Sequence, residues 1–194
     1  MSDRGVIAAI SILAITLSLG ACAPGSTAVQ LPVKASFEQQ TGVAPSFSRS
    51  LPARIRIPAI RVNAALMKLG LNSNRTLQVP PNAYTAGWFT GAPAPGQIGP
   101  AVIAAHVHWN GQDGVFAHLS SLALGDTIVV TRVDGSTAVF RITQIATYKK
   151  SRFPTKLVYG NIGFAGLRLI TCDGFDSRRR AYLTNLVVFA ALIE

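Results

Sequence analysis

The chain has 194 residues, 49% of them apolar, and 18 Lys and Arg against 8 Asp and Glu give it a formal net charge of +10. This is enough for one ordinary domain with its own core plus a tail. The only two cysteines, Cys22 and Cys172, lie far apart, one in the leader and one in an apolar run, which argues against a disulfide scaffold. The basic residues Arg54, Arg56, Arg61, Arg75, Arg132, Arg141, Lys149 and Lys150 are dispersed and have no aromatic-interleaved platform, so no nucleic-acid partner is expected. They read as a solvated surface suited to phospholipid or an acidic cell-wall polymer.

In chain order, Arg4 supplies a positive start, and Val6 to Leu19 is an uncharged apolar stretch too short for a comfortable transmembrane helix. It closes on Leu19-Gly20-Ala21-Cys22, which resembles a bacterial lipobox. Residues 1–22 are therefore expected to be a signal peptide with lipobox, or an N-terminal anchor, that tethers the domain outside the cytoplasmic membrane. Residues 23–51, rich in Ala, Ser, Pro, Gln and Thr without a period, read as a flexible stalk. Residues 52–194 form the folded domain.

That domain is all-β in pattern. Arg54-Ile55-Arg56-Ile57 alternates as a half-buried strand does. Ala101 to His106 is an apolar strand ending on a histidine, and a helical turn is expected around Val115 to Leu122. Asp126 to Val133, then Asp134-Gly135, then Ser136 to Ile142 is a hairpin, its second arm running on to Tyr148. Leu167 to Cys172 reads as a strand ending on a cysteine, and Asn185 to Leu192, apolar throughout after Asn185, as a central strand. Strands at this spacing predict a sandwich or a closed barrel.

The groups that could do chemistry sit at the ends of these runs. A thiol becomes a nucleophile as thiolate, a form that a neighbouring imidazole or guanidinium favours, so Cys172, His106 and the arginines Arg178, Arg179 and Arg180 can make an acyl-transfer site. Taken singly, Cys172 reads as a small hydrophobe, His106 as a hydrogen-bonded structural histidine and the arginines as a solvated loop. Alternation would put Ala104, His106 and His108 on one face, which leaves an i, i+2 metal pair open. His118 is the only other histidine and carboxylates are few, so no metal, calcium or other cofactor is expected.

The ordered context resembles the sortases, and among them the class F group of actinobacteria. The resemblance runs from about Arg54 to Leu192. It includes Arg56-Ile57-Pro58-Ala59-Ile60, Gly87-Trp88-Phe89 with Pro93-Ala94-Pro95-Gly96, and Pro100 to Val107. It continues through Gly114-Val115-Phe116, Leu122 to Asp126, Phe153-Pro154, Val158-Tyr159-Gly160 and the Leu169-Ile170-Thr171-Cys172 strand. It implies a closed eight-stranded β-barrel with short helical turns. It implies a transpeptidase that cuts Leu-Pro-x-Thr-Gly sorting signals through a thioacyl enzyme and passes them to a cell-wall amine, working as a monomer.

Carried over, Cys172 is the nucleophile and His106 its acid/base partner. Most sortases carry the arginine that faces the oxyanion at the start of the last strand, where this chain has Asn185. Arg180 is then the first replacement, with Arg179, Arg178 and Arg168 as rivals. Ala105 stands where Gly is usual and His108 where Asp is common. A silent cell-wall peptide-binding module would not need both Cys172 and His106, and an L,D-transpeptidase places the two close together in one motif. For the leader, radiolabelled palmitate should mark the full chain and be lost in Cys22→Ser; label that persists would rule out the lipobox.

Overall fold

The structure, a computed structural model, describes residues 45–194; the leader and residues 23–44 of the expected stalk lie outside the described residues. Strand β1 (Pro52–Ile57) follows the alternation read from the sequence, Ile55 and Ile57 being fully buried while Arg54 and Arg56 face solvent. A turn of 3-10 helix leads into β2 (Val62–Leu69), followed by β3 (Ala86–Phe89) and β4 (Gly99–Ala104). A small ribbon, β5 (His108–Trp109) with β6 (Gln112–Asp113), stands apart from the main sheet. The helical turn expected at Val115 to Leu122 is a 3-10 turn at Leu119–Ser121.

The hairpin is present as β7 (Thr127–Arg132) and β8 (Thr137–Lys149). Its loop closes with Gly135 N–H donating to the Arg132 carbonyl at 3.0 Å and Gly135 at φ 83°, the left-handed conformation that the Asp-Gly pair announces. One short helix, α1 (Thr155–Tyr159), precedes β9 (Ala165–Asp176) and β10 (Ala181–Leu192). Nothing in the sequence announces α1, because a single helical turn is too short to establish a 3.6-residue period. Among the described residues no helix is long and apolar enough to cross a membrane.

The eight main strands close into a barrel in the order β1-β2-β3-β4-β9-β10-β8-β7. Two of the joins, β2 with β3 and β4 with β9, are parallel, and the others are antiparallel. The interior is filled by Ile55, Trp88, Ile103, Phe140, Leu167, Leu169 and Val188. A second apolar layer lies on the other face of β4, β9 and β10: Val102, Ile170, Val187 and Phe189 pack there with Val158 of α1. Being covered on both faces, β9 and β10 read as nearly continuous apolar runs rather than alternating ones.

Two strand ends differ from expectation. β9 does not stop at Cys172 but pairs with β10 as far as Asp176, whereas β4 stops at Ala104, two residues short of His106. The end of the expected stalk is also fixed to the barrel. Phe47 N–H donates to the Gly96 carbonyl at 2.7 Å, and the buried Arg132 guanidinium lies 5.2 Å over the Phe47 ring while bonding the Ser48 carbonyl.

The closeness of the parallel β2–β3 join gives a stability test. A Cβ on Gly87 would lie 2.3 Å from Leu69 Cγ, and Leu69 is itself buried. Gly87→Ala should lower unfolding free energy by about 1–3 kcal/mol in urea titration, the usual cost of overpacking a filled core.

Candidate functional site

The parallel join of β4 with β9 builds the site. Ala104 is in register with Ile170, Ala105 N–H donates to the Ile170 carbonyl at 3.3 Å, and the buried Thr171 hydroxyl donates to the Ala105 carbonyl at 2.9 Å. His106 and Cys172, each two residues beyond a partner of that register pair, therefore emerge side by side at the same end of the barrel. Both line one groove of about 650 Å³.

Cys172 is a free, half-buried thiol. Strand alternation gives it the same face as Ile170 and Arg168, away from the barrel interior. His106 is held from two sides. Its Nε2 lies 2.7 Å from the Pro80 carbonyl, which can only accept, so that nitrogen carries a proton; its ring also packs on Trp109 with centroids 4.5 Å apart. The Pro80 carbonyl comes from the long β2–β3 connection. This connection also brings Leu71, Leu77 and Val79 to one wall of the groove.

The opposite wall is aromatic. Phe89, Phe153 and Tyr159 line it, Tyr159 meeting Phe89 edge-on at 6.2 Å and Phe153 at 6.3 Å. Burial pushes the Tyr159 phenol above its ordinary value, as a largely apolar surround should. Positive charge reaches the groove from Arg75 and from Lys150, whose ammonium donates to Cys172 Sγ at 3.5 Å. Cys172 also borders a second cavity of about 450 Å³ with Val107, His108, Asp173, Phe175 and Tyr182. There the Tyr182 phenol is pushed up first by desolvation and then by the charge of Cys172.

The other sequence-predicted residues are placed elsewhere. His108 turns from the groove to the ribbon, its Nδ1 3.0 Å from Asp113 Oδ1, so the i, i+2 face expected for His106 and His108 does not form once β4 has ended. Among the described residues no cluster of three or more His, Cys, Asp and Glu gathers with metal-ligand spacing. Arg178, Arg179 and Arg180 form the β9–β10 turn. Asp176 Oδ1 accepts the N–H groups of Arg178 and Arg179, and Arg180 takes a left-handed φ of 49°. Asn185 faces Cys172 across the β9–β10 ladder, so Arg180 lies five residues further along, about 17 Å at the rise of a strand. Arg168, four residues before Cys172, is about 13 Å away by the same measure. It is buried, with its guanidinium 4.6 Å over the Phe189 ring and NH1 donating to the Leu167 carbonyl at 3.0 Å. Burial without an anionic partner pushes that guanidinium below its ordinary value.

In the sequence Lys150 is one of the dispersed surface cations, and Pro80 does not stand out. A faint signal for Lys150 existed, since it stands three residues before the Phe153-Pro154 pair that the reading did pick out. Nothing local marks a backbone carbonyl such as that of Pro80.

Comparison with known proteins agrees with this fold. The model of the sortase domain matches residues 55–193. No curated protein matches. Among solved structures, sortase A from Corynebacterium diphtheriae superposes with a TM-score of 0.59 at 21% identity, over 76% of this chain and 62% of that one. Sortase C-1 from Actinomyces oris gives 0.57 at 20% identity over 73% of each chain. Sortase C from Streptococcus pneumoniae gives 0.57 at 20% identity over 76% of this chain and 71% of that one. The chain thus spans under two thirds of the length of the diphtherial protein.

The bond that ties β4 to β9 beside the site is open to test. Thr171→Val keeps the shape but leaves the Ala105 carbonyl without its hydroxyl donor. Chemical denaturation should show a loss of about 1–3 kcal/mol, the cost of an unsatisfied buried acceptor.

Proposed function

This chain belongs to the sortase family, and we propose that it acts as a cysteine transpeptidase on Leu-Pro-x-Thr-Gly-type sorting signals. One observation carries the reading: a half-buried thiol on β9 and an imidazole two residues past the end of the parallel strand β4 line the same largely apolar groove. A groove of that kind suits an extended peptide with Leu and Pro side chains, since its walls are aliphatic and aromatic. The ordered motifs from Arg56 to Cys172 support the class F group within the family.

The steps follow from the residues. Cys172 thiolate attacks the Thr carbonyl, forming the Sγ–C bond as the C=O pair moves to oxygen. His106 protonates the Gly nitrogen as the C–N bond breaks, leaving a thioacyl enzyme and a free amine. An acceptor amine then attacks the thioester, gives its proton to His106 and releases Cys172 as thiolate. The position of Cys172 between two cavities supports this two-substrate scheme, because the acceptor can approach from the side the peptide does not fill. The chain's positive balance suits an acidic cell-wall or membrane surface, and the apolar leader ending on Cys22 supports a tether outside the cytoplasmic membrane.

The test is a peptide assay. The full chain in detergent, given a Leu-Pro-x-Thr-Gly peptide and hydroxylamine, should yield the peptide hydroxamate. Cys172→Ala should yield none, and His106→Ala should be slower by about 10²–10⁴, the usual worth of a positioned acid/base. If no peptide of this type gives hydroxamate, acyl adduct or hydrolysed product with the wild type, the transpeptidase reading falls and a peptide-binding role takes its place.

A further inference from the structure

We propose that Lys150 is the catalytic cation of this site, stabilising the Cys172 thiolate and then the oxyanion that forms from it. The proposal rests on Cys172 being the nucleophile. The Lys150 ammonium is 3.5 Å from Sγ, and among the described residues it is the only group hydrogen-bonded to that sulfur. No carboxylate of the described residues forms a salt bridge with Lys150.

The topology explains how a residue just past the end of β8 reaches a cysteine on β9. β10 lies between the two strands, and its residue Asn185 pairs with Cys172 on one side and Tyr148 on the other. Asn185 is neutral. Lys150, two residues beyond Tyr148, brings its ammonium across β10 to Cys172 Sγ on a four-carbon stem. Its backbone is fixed at both ends. Lys149 still pairs with Thr184 of β10, and Phe153, just after the 3-10 turn Lys150–Arg152, packs on Tyr148 and Tyr159. The arginines that the sequence singled out are far from the sulfur: the Arg178–Arg180 turn lies out along the β9–β10 hairpin, and Arg168 is buried against Phe189.

An ammonium at this distance has two uses. Before attack it favours the thiolate over the thiol. As Sγ bonds to the Thr carbonyl carbon, the negative charge moves from sulfur to the carbonyl oxygen, two bonds away. A flexible ammonium can follow it without giving up a proton, while His106 delivers the proton that the leaving amine needs.

The test compares Lys150→Met, Lys150→Gln and Lys150→Arg in the full chain in detergent, with Lys149→Met as the neighbouring-charge control. Lys150 is exposed, so these changes leave the core untouched. The first readout is the rate of iodoacetamide alkylation of Cys172 at neutral pH, read on its own peptide by mass so that Cys22 does not contribute. It needs no substrate. The Met and Gln variants should alkylate about ten-fold more slowly. The second readout, hydroxamate formation, should fall about a hundred-fold or more in kcat for the same two variants. Lys150→Arg should restore much of both, and Lys149→Met should match the wild type in both. Wild-type alkylation and kcat in Lys150→Met would overturn the proposal, the more so if Arg180→Ala suffered the loss instead. Should the wild type process no peptide at all, the transpeptidase reading fails, while the alkylation comparison still decides whether Lys150 acts on the thiol.

Discussion

The parallel join between β4 and β9 is the constraint from which the site follows. Six residues of β4 run in register with β9, from Gly99 against Ala165 to Ala104 against Ile170. Where the ladder ends, the Ala105 backbone is still tied to Ile170 and Thr171. The next residue, past the end of β4, is the histidine, and the corresponding one on β9 is the cysteine. A shift of one residue in this register would turn Cys172 toward the opposite face, because successive side chains on a strand alternate. Both strands are buried on two faces, so such a shift would also drive Arg168 into a core filled by Leu167 and Leu169. Packing that holds the barrel together thus sets where the thiol and the imidazole emerge.

The same double burial makes the site's surroundings apolar. α1 and the Phe153 segment cover the outer face of β4, β9 and β10 and stop short of Cys172, leaving an open groove with aromatic and aliphatic walls. In such a setting a single charge near a reacting atom counts for more than it would in water. The groove receives its charge from Lys150 and Arg75, and the proton on His106 Nε2 is held at the Pro80 carbonyl. The connection that carries Pro80 also carries Leu71, Leu77 and Val79, so one segment both orients the imidazole and walls the groove.

Much of the fold was legible because it is local. The alternation of Arg54 to Ile57, the Asp-Gly turn after β7 and the apolar runs of β9 and β10 each reflect which neighbours are buried, and burial repeats every two residues along a strand. Helix α1 was not legible, for its one turn carries no period. The strand ends were misjudged for a related reason. A strand continues as long as it has a partner, and Cys172 to Asp176 keep theirs in β10 while His106 has none in β3 or β9.

The sequence by itself determined the chemistry available: one thiol within the folded domain, few histidines, many dispersed cations and an ordered set of motifs that resembles one family. It also determined a β-rich chain with a barrel or sandwich as the outcome. Only the tertiary structure decided which of those groups meet. Nearness along the chain favoured Arg178 to Arg180 as partners of Cys172. A strand rises more than 3 Å per residue, so five residues carry a side chain well away, while a residue two strands across can stand beside it. Lys150 is such a residue, brought to the sulfur by the order β9-β10-β8, which no local pattern in the sequence records.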